Sequence, residues 1–481
     1  MAYSKARRLA DIMSTSAGIP TASIQDDAIT SAKIADDAVV TAAIADDAVV
    51  AASIADNAVV TAAIADDAIT SALIADDAVV AAAIADNAVV TAAIADDAVT
   101  SAKTTGVITN PNIVINGSME VIQRQPPSAS STAAGYKTVD RWNGNWGGTS
   151  AGITQAQVAL TSGGPYDEGH RYVLKYTNTS NTTAADKWFY IRQGVEAKIL
   201  RNCGWQYNST SSYITYSFWA KSSLAGTYYV FLYTPDGTPQ SFRKSFTLSA
   251  ATWTKVSVTI PGAANITIDD NTGLGCNLDI HVDRGTNYTG SGGIADGSWG
   301  EHVQATGTPD YAQAWQNTSN ATFEVTGCKL ELGQTATAYD HIGFDKELER
   351  CQRYYAKSYI YTERPGGAAY YPNAGSYTGT YMGCENIDSL NSHSAYGQRI
   401  NWNVPLPVPM ANHAQTLTII NPYNGDTGKI MQSGGGASYT ATLWQWSERR
   451  PNLYGSVSGN SYGNVNGGDA YRYHWTAEGE L

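Results

Sequence analysis

The sequence predicts a mainly β protein. An extended repetitive shaft comes first, then a β-sandwich of jelly-roll type, then a second β-domain. Three observations carry that reading. A ten-residue unit recurs from Ile24 to Lys103. Alternating β-branched and aromatic stretches, broken by Gly, Asn and Asp, follow it. The composition, with 45 Gly and 30 Tyr among 481 residues and only 15% charged side chains, suits sheets and turns over helical bundles.

Residues 1–23 begin MAYSKARRLADIMSTSAGIP and have no continuous apolar core, so neither a signal peptide nor export by the ordinary secretory route is expected. The shaft, residues 24–103, follows as decads such as IADDAVVTAA and IADNAVVTAA, each opening on Ile. A period this short is one rung of an array. A continuous α-helix fits poorly, because three turns take ~10.8 residues and the apolar stripe would drift ~80° per decad. Ten is even, so the two faces of an extended segment stay in register between units. Asp36-Asp37 and Asp56-Asn57 are turn formers, and Ala38-Val39-Val40-Thr41 prefers extended geometry. Imperfect alternation calls for a bend or bulge in each unit, and a single helical turn capped by Thr or Ser stays open locally.

One such chain cannot bury its Ile and Val alone. Small Ala beside each Ile suits several chains about an axis, and a parallel homotrimer is favoured among symmetries the sequence does not exclude. Paired Asp are expected outside and solvated, in preference to carboxylate rings holding calcium. Asp interrupts every apolar run, so no shaft segment is apolar enough to cross a membrane.

The decads hold fourteen Asp against Lys33 and Lys103, which is −12 of the net −13. The remainder is nearly neutral and has no basic patch, which excludes nucleic-acid binding. Cys203, Cys276, Cys328, Cys351 and Cys384 are scattered without C-x-x-C, so free thiols are expected in place of disulfides or a zinc site.

Residues 104–345 read as a sandwich. SYITYSFWAKS sets Ile214, Tyr216 and Phe218 on one parity, and TWTKVSVTI sets Trp253 and Lys255 against Val256, Val258 and Ile260. FDKELERCQRYY places Leu348, Cys351 or Gln352, and Tyr355 at helical spacing, a short helix joining two domains. Residues 346–481 are expected to form the second β-domain, the receptor-binding tip, with strands such as QTLTII and ATLWQWS between Gly-, Asn- and Tyr-rich loops.

Taken as an ordered set, INGSMEVIQRQ…TVDRW, SFWAKS, TWTKVSVTIPG and KLELGQTATAYDH…ELERCQRYY resemble bacteriophage tail-fibre proteins, as do the decad shaft and the RRLADIM segment. The resemblance implies a sandwich similar to carbohydrate-binding modules within a homotrimeric virion component assembled in the host cytoplasm. It also implies docking of residues 1–23 to a tail or baseplate protein and recognition of host cell-surface polysaccharide at the distal end. It supplies no fixed set of sugar-binding residues, and no cofactor is called for.

Aromatic faces stack on the apolar C–H side of a pyranose while Asn, Asp and Gln bond its hydroxyls. Tyr370, Tyr371, Tyr377 and Tyr381 are therefore glycan-binding candidates, against the alternative that they pack within the loop or between subunits. Trp146, Trp299 and Trp315, in or beside Gly- and Asn-containing stretches, are exposed candidates. Trp142, Trp219 and Trp253 are expected in the core. Asp269-Asp270-Asn271-Thr272-Gly273 reads as a turn before a calcium loop, and His170 and His281 as structural histidines without metal partners. Asp167, Glu168, Asp186, Glu196, Asp310 and Glu385 are available carboxylates, but no hydrolase motif accompanies them. A binding protein is expected; a glycan-degrading fibre, or a fibre segment carrying another protein at its tip, are the alternatives.

Overall fold

The computed structural model describes residues 111–125, 129–290, 293–304 and 307–359 without a break, single positions and short stretches among the first 84 residues, the longest being 28–35, and short stretches beyond 359, the longest being 399–411, 416–422, 425–432, 438–445, 450–456 and 471–481. The chain divides into two compact units, Met1–Val99 and Thr100–Leu481.

In the first unit, described alanines flanking the acidic pairs are hydrogen-bonded, while Asp36-Asp37 and Asp56-Asn57 themselves lie outside the described residues. The N–H of Ala38 donates to Ala35 O at 3.0 Å, and Ala48, Ala58 and Ala68 repeat the same bond to the residue three before them. No described shaft residue lies in a strand, and Ser31–Lys33 is a 3-10 turn. The expected extended β-branched stretches are therefore bends at the described positions, as a single chain offers no neighbouring ladder to pair with. Ile24, Ile34, Ile44, Ile54, Ile64, Ile74 and Ile84 are between 39% and 44% exposed in this single chain, and Val39, Val49 and Val59 more so.

The second unit is antiparallel β. Its first part contains β1 (Ser130–Ser131), β2 (Asn143–Gly147), β3 (Gly152–Ala159), β4 (Tyr172–Ser180), β5 (Trp188–Glu196) and β6 (Tyr213–Ser222). It continues with β7 (Gly226–Thr234), β8 (Gln240–Leu248), β9 (Thr254–Pro261), β10 (Leu274–Arg284), β11 (Ser298–Glu301) and β12 (Thr322–Leu332). Two six-stranded sheets result, in the orders β1-β3-β4-β12-β6-β9 and β11-β8-β7-β10-β5-β2. The chain passes repeatedly from one sheet to the other, the jelly-roll-like sandwich that the alternation predicts.

Ile214, Tyr216 and Phe218 of β6 are fully buried, and Val256, Val258 and Ile260 of β9 face the same interior. Their partners from the other sheet are Phe189, Ile191, Tyr228, Leu232, Phe242, Leu278 and Ile280. Two of the expected core residues are not there. Trp219 and Trp253 share the parity of Thr215 and Lys255 and so stand part-exposed on the outer side of the first sheet. The Lys255 ammonium lies over the Trp219 ring and the Lys221 ammonium over Trp253, at 5.8 and 4.7 Å. Trp142 is buried as expected, its Nε1–H donating to Asn116 O at 2.9 Å.

A helix, α1 (Phe344–Gln352), leads into a third sheet. Tyr355 is not its last turn, as the spacing suggested, but the first residue of β13 (Tyr355–Lys357), which pairs with β20 (Tyr471–Glu478). Between them run β14 (Glu385–Ile387), β15 (Arg399–Asn403), β16 (Thr416–Ile420), β17 (Lys429–Gln432), β18 (Ser438–Gln445) and β19 (Asn452–Ser456). Val404, Ile419, Ile430, Leu453, Tyr473 and Trp475 give this sheet its own core.

The two cores are bridged. Ile115 and Val121 from the start of the unit pack with Cys351, Tyr354 and Ala411. Glu196 is held bidentately by Arg353 at 2.8–3.0 Å. Beyond β20, Glu480 returns to the sandwich, where Arg124 donates to it at 3.0 Å and Arg141 also bonds it. Cys276, Cys328 and Cys351 are buried free thiols and Cys203 a part-exposed one; Cys384 lies outside the described residues.

Candidate functional site

The outer face of the second sheet differs from its interior by one parity step. On β5, Phe189 and Ile191 point into the core, while Trp188, Tyr190 and Arg192 stand on the other side. β2 lies beside them, with Asn145 opposite Tyr190 and Gly147 opposite Trp188. β10 lies on the far side, with Asp279 opposite Arg192 and His281 opposite Tyr190. A bulge between His281 and Asp283 then moves Arg284 opposite Trp188, so that Arg284 joins His281 on the outer face.

These residues border an open cleft of ≈ 130 Å³ lined by Asn145, Trp188, Tyr190, Arg284, Tyr288 and Gln304. Its aromatic wall is fixed: Trp188 and Tyr288 meet edge to face at 5.8 Å, and the Trp188 Nε1–H donates to Asn145 Oδ1 at 2.8 Å. Gly147 makes room for that indole, since a Cβ there would come within 2.3 Å of it. Tyr190 stacks on His281 at 4.9 Å, and Phe231 closes the other side of the imidazole at 4.5 Å.

The polar groups behind this wall are ordered by charge. Arg192 grips Asp279 with two bonds of 2.7 Å. Burial pulls the Asp279 carboxyl up, but the Arg192 guanidinium overrides it and holds the group well below the usual carboxylate range. His281 accepts from Arg284 Nε–H at 2.9 Å through Nδ1, which places its proton on Nε2, facing Asp279 Oδ2 at 3.5 Å. Burial first, and the Arg284 charge next, push this imidazole down to about 3, so it is neutral. The sequence treated His281 as an isolated structural residue; the structure gives it a partner that lines the cleft.

The residues singled out from sequence lie elsewhere. Tyr370, Tyr371, Tyr377 and Tyr381 are outside the described residues. Trp146 and Trp315, expected to be exposed, are 9% and 0% exposed. The reason is that Trp146 shares the inward parity of β2 and packs edge-on against Tyr176 and Phe189. Trp315 sits on a 3-10 turn (Trp315–Asn317) that folds under the sheet edge, with its ring 4.9 Å from Phe189. Trp299, on β11, is half-buried against Phe242, and its Nε1–H is engaged by Pro261 O at 2.7 Å. None of the three borders the cleft. The signal that would have found the site is the alternation W-F-Y-I-R itself, which puts aromatic rings on both faces of β5.

Two other expected features are placed. Asn271 Oδ1 accepts from Gly273 N–H at 2.7 Å, a turn of the kind expected over 269–273. His170 is buried, with Ser118 Oγ at 2.8 Å from its Nδ1 and Tyr339 against its ring. Among the described residues no group of three His, Cys, Asp or Glu side chains is arranged to hold a metal ion.

No protein-family model and no curated protein matches this chain. Solved structures do show a likeness. The enzymatically active domain of tailspike protein 4 from bacteriophage CBA120 is similar over 46% of this chain and 21% of its own, at 9% identity and TM-score 0.26. The family 11 carbohydrate-binding module from Clostridium thermocellum, solved with a mixed-linked tetrasaccharide, is similar over 43% of this chain and 97% of its own, at 12% identity and TM-score 0.22. A family 61 module solved with a galactotriose is similar over 47% and 99%, at 10% identity and TM-score 0.21. The chain thus spans about a fifth of the tailspike it matches, and no residue role is transferred from any of these structures.

Proposed function

We propose that this protein is a non-enzymatic, homotrimeric phage tail fibre that adheres to host-surface glycan through the outer face of its second sandwich sheet. The observation that carries the glycan reading is the cleft: a rigid wall of Trp188, Tyr190 and Tyr288, rimmed by the amides of Asn145 and Gln304. Such a wall offers π-faces to the C–H side of a sugar ring, and the amides suit its hydroxyls.

A binding role is favoured over cleavage by the cleft's chemistry. Glycoside hydrolysis takes two carboxylates astride the bond, and among the described residues no Asp or Glu lines the cleft. Asp279, a carboxylate on the same face, is already held by Arg192. The fibre reading draws on the shaft, whose regularly spaced, exposed isoleucines call for identical partners. Three clefts on one fibre would raise avidity without a tight single site. Residues 1–23 would then dock to a tail or baseplate protein.

The test is titration of the full chain against an oligosaccharide array, with Trp188→Ala beside it. Wild-type protein should bind, and the variant should lose roughly tenfold or more in affinity. Binding unchanged in Trp188→Ala would move the site elsewhere. Sustained release of reducing ends from a bound polysaccharide would overturn the non-enzymatic reading. A solution mass of one chain would overturn the trimer.

A further inference from the structure

Among the described residues lining the cleft, Arg284 is the one cation. Its Nε–H is committed to His281, and its Nη1 is buried without a hydrogen-bond partner. The guanidinium lies over Phe231 at 5.7 Å and takes part in no ion pair among the described residues. Other basic side chains on or beside this sheet do have carboxylates: Arg192 has Asp279, Lys187 has Asp283 and Lys244 has Asp296.

A second arginine repeats the anomaly. Arg243, 6% exposed on β8, donates Nη1–H to Gly307 O at 3.3 Å, lies over Tyr229 and leaves its buried Nε unpartnered. Gly307 also touches Arg284, since a Cβ there would come within 2.4 Å of Nη1. The face therefore carries Arg192, Arg243 and Arg284 against Asp279, with His281 neutral. An excess of buried or half-buried guanidinium is costly unless an anion completes it. A carboxylate is such an anion, since a charge-assisted bond from a guanidinium is roughly twice as strong as a neutral one.

We infer that the cleft takes an acidic glycan, a sugar ring lying against Trp188, Tyr190 and Tyr288 while its carboxylate is held by Arg284. This rests on the proposed glycan reading and narrows it to uronic-acid-type residues. His281, by accepting from Nε–H, aims the guanidinium without touching the ligand and is a positioning residue.

The experiment prints uronic-acid oligosaccharides, each beside its own methyl ester, together with neutral gluco-, galacto- and manno-oligosaccharides, and titrates the full chain against them. Acid forms should bind about ten- to a hundredfold tighter than their esters, as expected for a charge-assisted hydrogen-bond pair. Arg284→Gln should bring acid and ester to the same affinity, and Arg284→Lys should restore part of the difference. Thermal melting of both variants shows whether the fold is kept. Equal binding of acid and ester by wild-type protein overturns the inference and leaves the glycan reading standing. So does binding of neutral sugars alone, or a preference that survives in a folded Arg284→Gln. Binding to no sugar at all removes both.

Discussion

Arg284 donates its Nε–H to Nδ1 of His281 at 2.9 Å, although the two lie three positions apart on one strand. Strict alternation would put them on opposite faces. The bulge between His281 and Asp283 shifts the register by one and brings both to the outside. That single irregularity supplies the cleft with its cation.

Burial of His281, and next the Arg284 charge beside it, makes the sandwich acid-sensitive. Because the folded imidazole titrates near 3 and an unfolded one near its ordinary 6.5, the unfolded chain binds more protons between those values. Stability is therefore full above about pH 6.5 and falls as pH drops towards 3, by roughly a few kcal/mol for this fully buried group. His170 and His474, both pushed down to about 4 chiefly by burial, act in the same direction. Urea unfolding at several pH values should show this slope, and His281→Gln should remove one proton's share of it. An unchanged slope in that variant would contradict the neutral, buried assignment.

The period-two pattern made the sandwich legible, and the same pattern hid its site. Ile214, Tyr216 and Phe218 announce an inward face because their alternates are small or polar. On β5 both parities carry rings, so alternation alone does not tell Trp188 and Tyr190 from Phe189 on the inner face. Size alone suggests an interior place for Trp219 and Trp253, yet their parity with Thr215 and Lys255 puts them on the outer side. Trp146 and Trp315 failed in the opposite sense, since Gly and Asn neighbours suggested loops where the chain forms a strand and a buried 3-10 turn. Arg284 was beyond reach, because no local propensity fixes where a bulge falls. The shaft's chain count depends on partners that one sequence only implies.

Two tryptophans separate folding from binding. Trp315 is 0% exposed beneath the sheet, so Trp315→Ala should cost ~3–5 kcal/mol as a cavity among Phe189 and its neighbours. Trp188→Ala should cost about 1 kcal/mol or less, since its ring is part-exposed, yet should remove most affinity. Denaturant melts and glycan titrations on both variants check the contrast. Equal destabilisation would mean that Trp188 is a packing residue.

Gly147→Ala is the smallest perturbation that should reach the cleft. The new methyl would lie 2.3 Å from the indole of Trp188, within β2 and far from any ligand group of its own. The ring must swing away, releasing Asn145 and opening the edge contact with Tyr288. Intrinsic tryptophan fluorescence should shift and affinity fall severalfold, while the melting temperature moves little. Retained affinity would show that the wall tolerates a displaced indole.

Glu480 tests how the third sheet is tied to the sandwich. Its carboxylate meets Arg141, which is 1% exposed and stacked on Tyr354 with its guanidinium 3.5 Å from the ring centre. Arg124, the other partner, keeps Asp140 at 3.2 Å, but no other carboxylate pairs with Arg141 among the described residues. Glu480→Gln therefore strands a buried cation and should cost ~3–5 kcal/mol. Arg141→Met combined with Glu480→Met removes both charges at once and should recover most of that loss, because the pair's attraction largely offsets its own desolvation. Unfolding by guanidinium of Arg141→Met, Glu480→Met and the double gives the coupling directly. If Glu480→Gln melts within about 0.5 kcal/mol of the parent, the ion pair does not hold the two parts together.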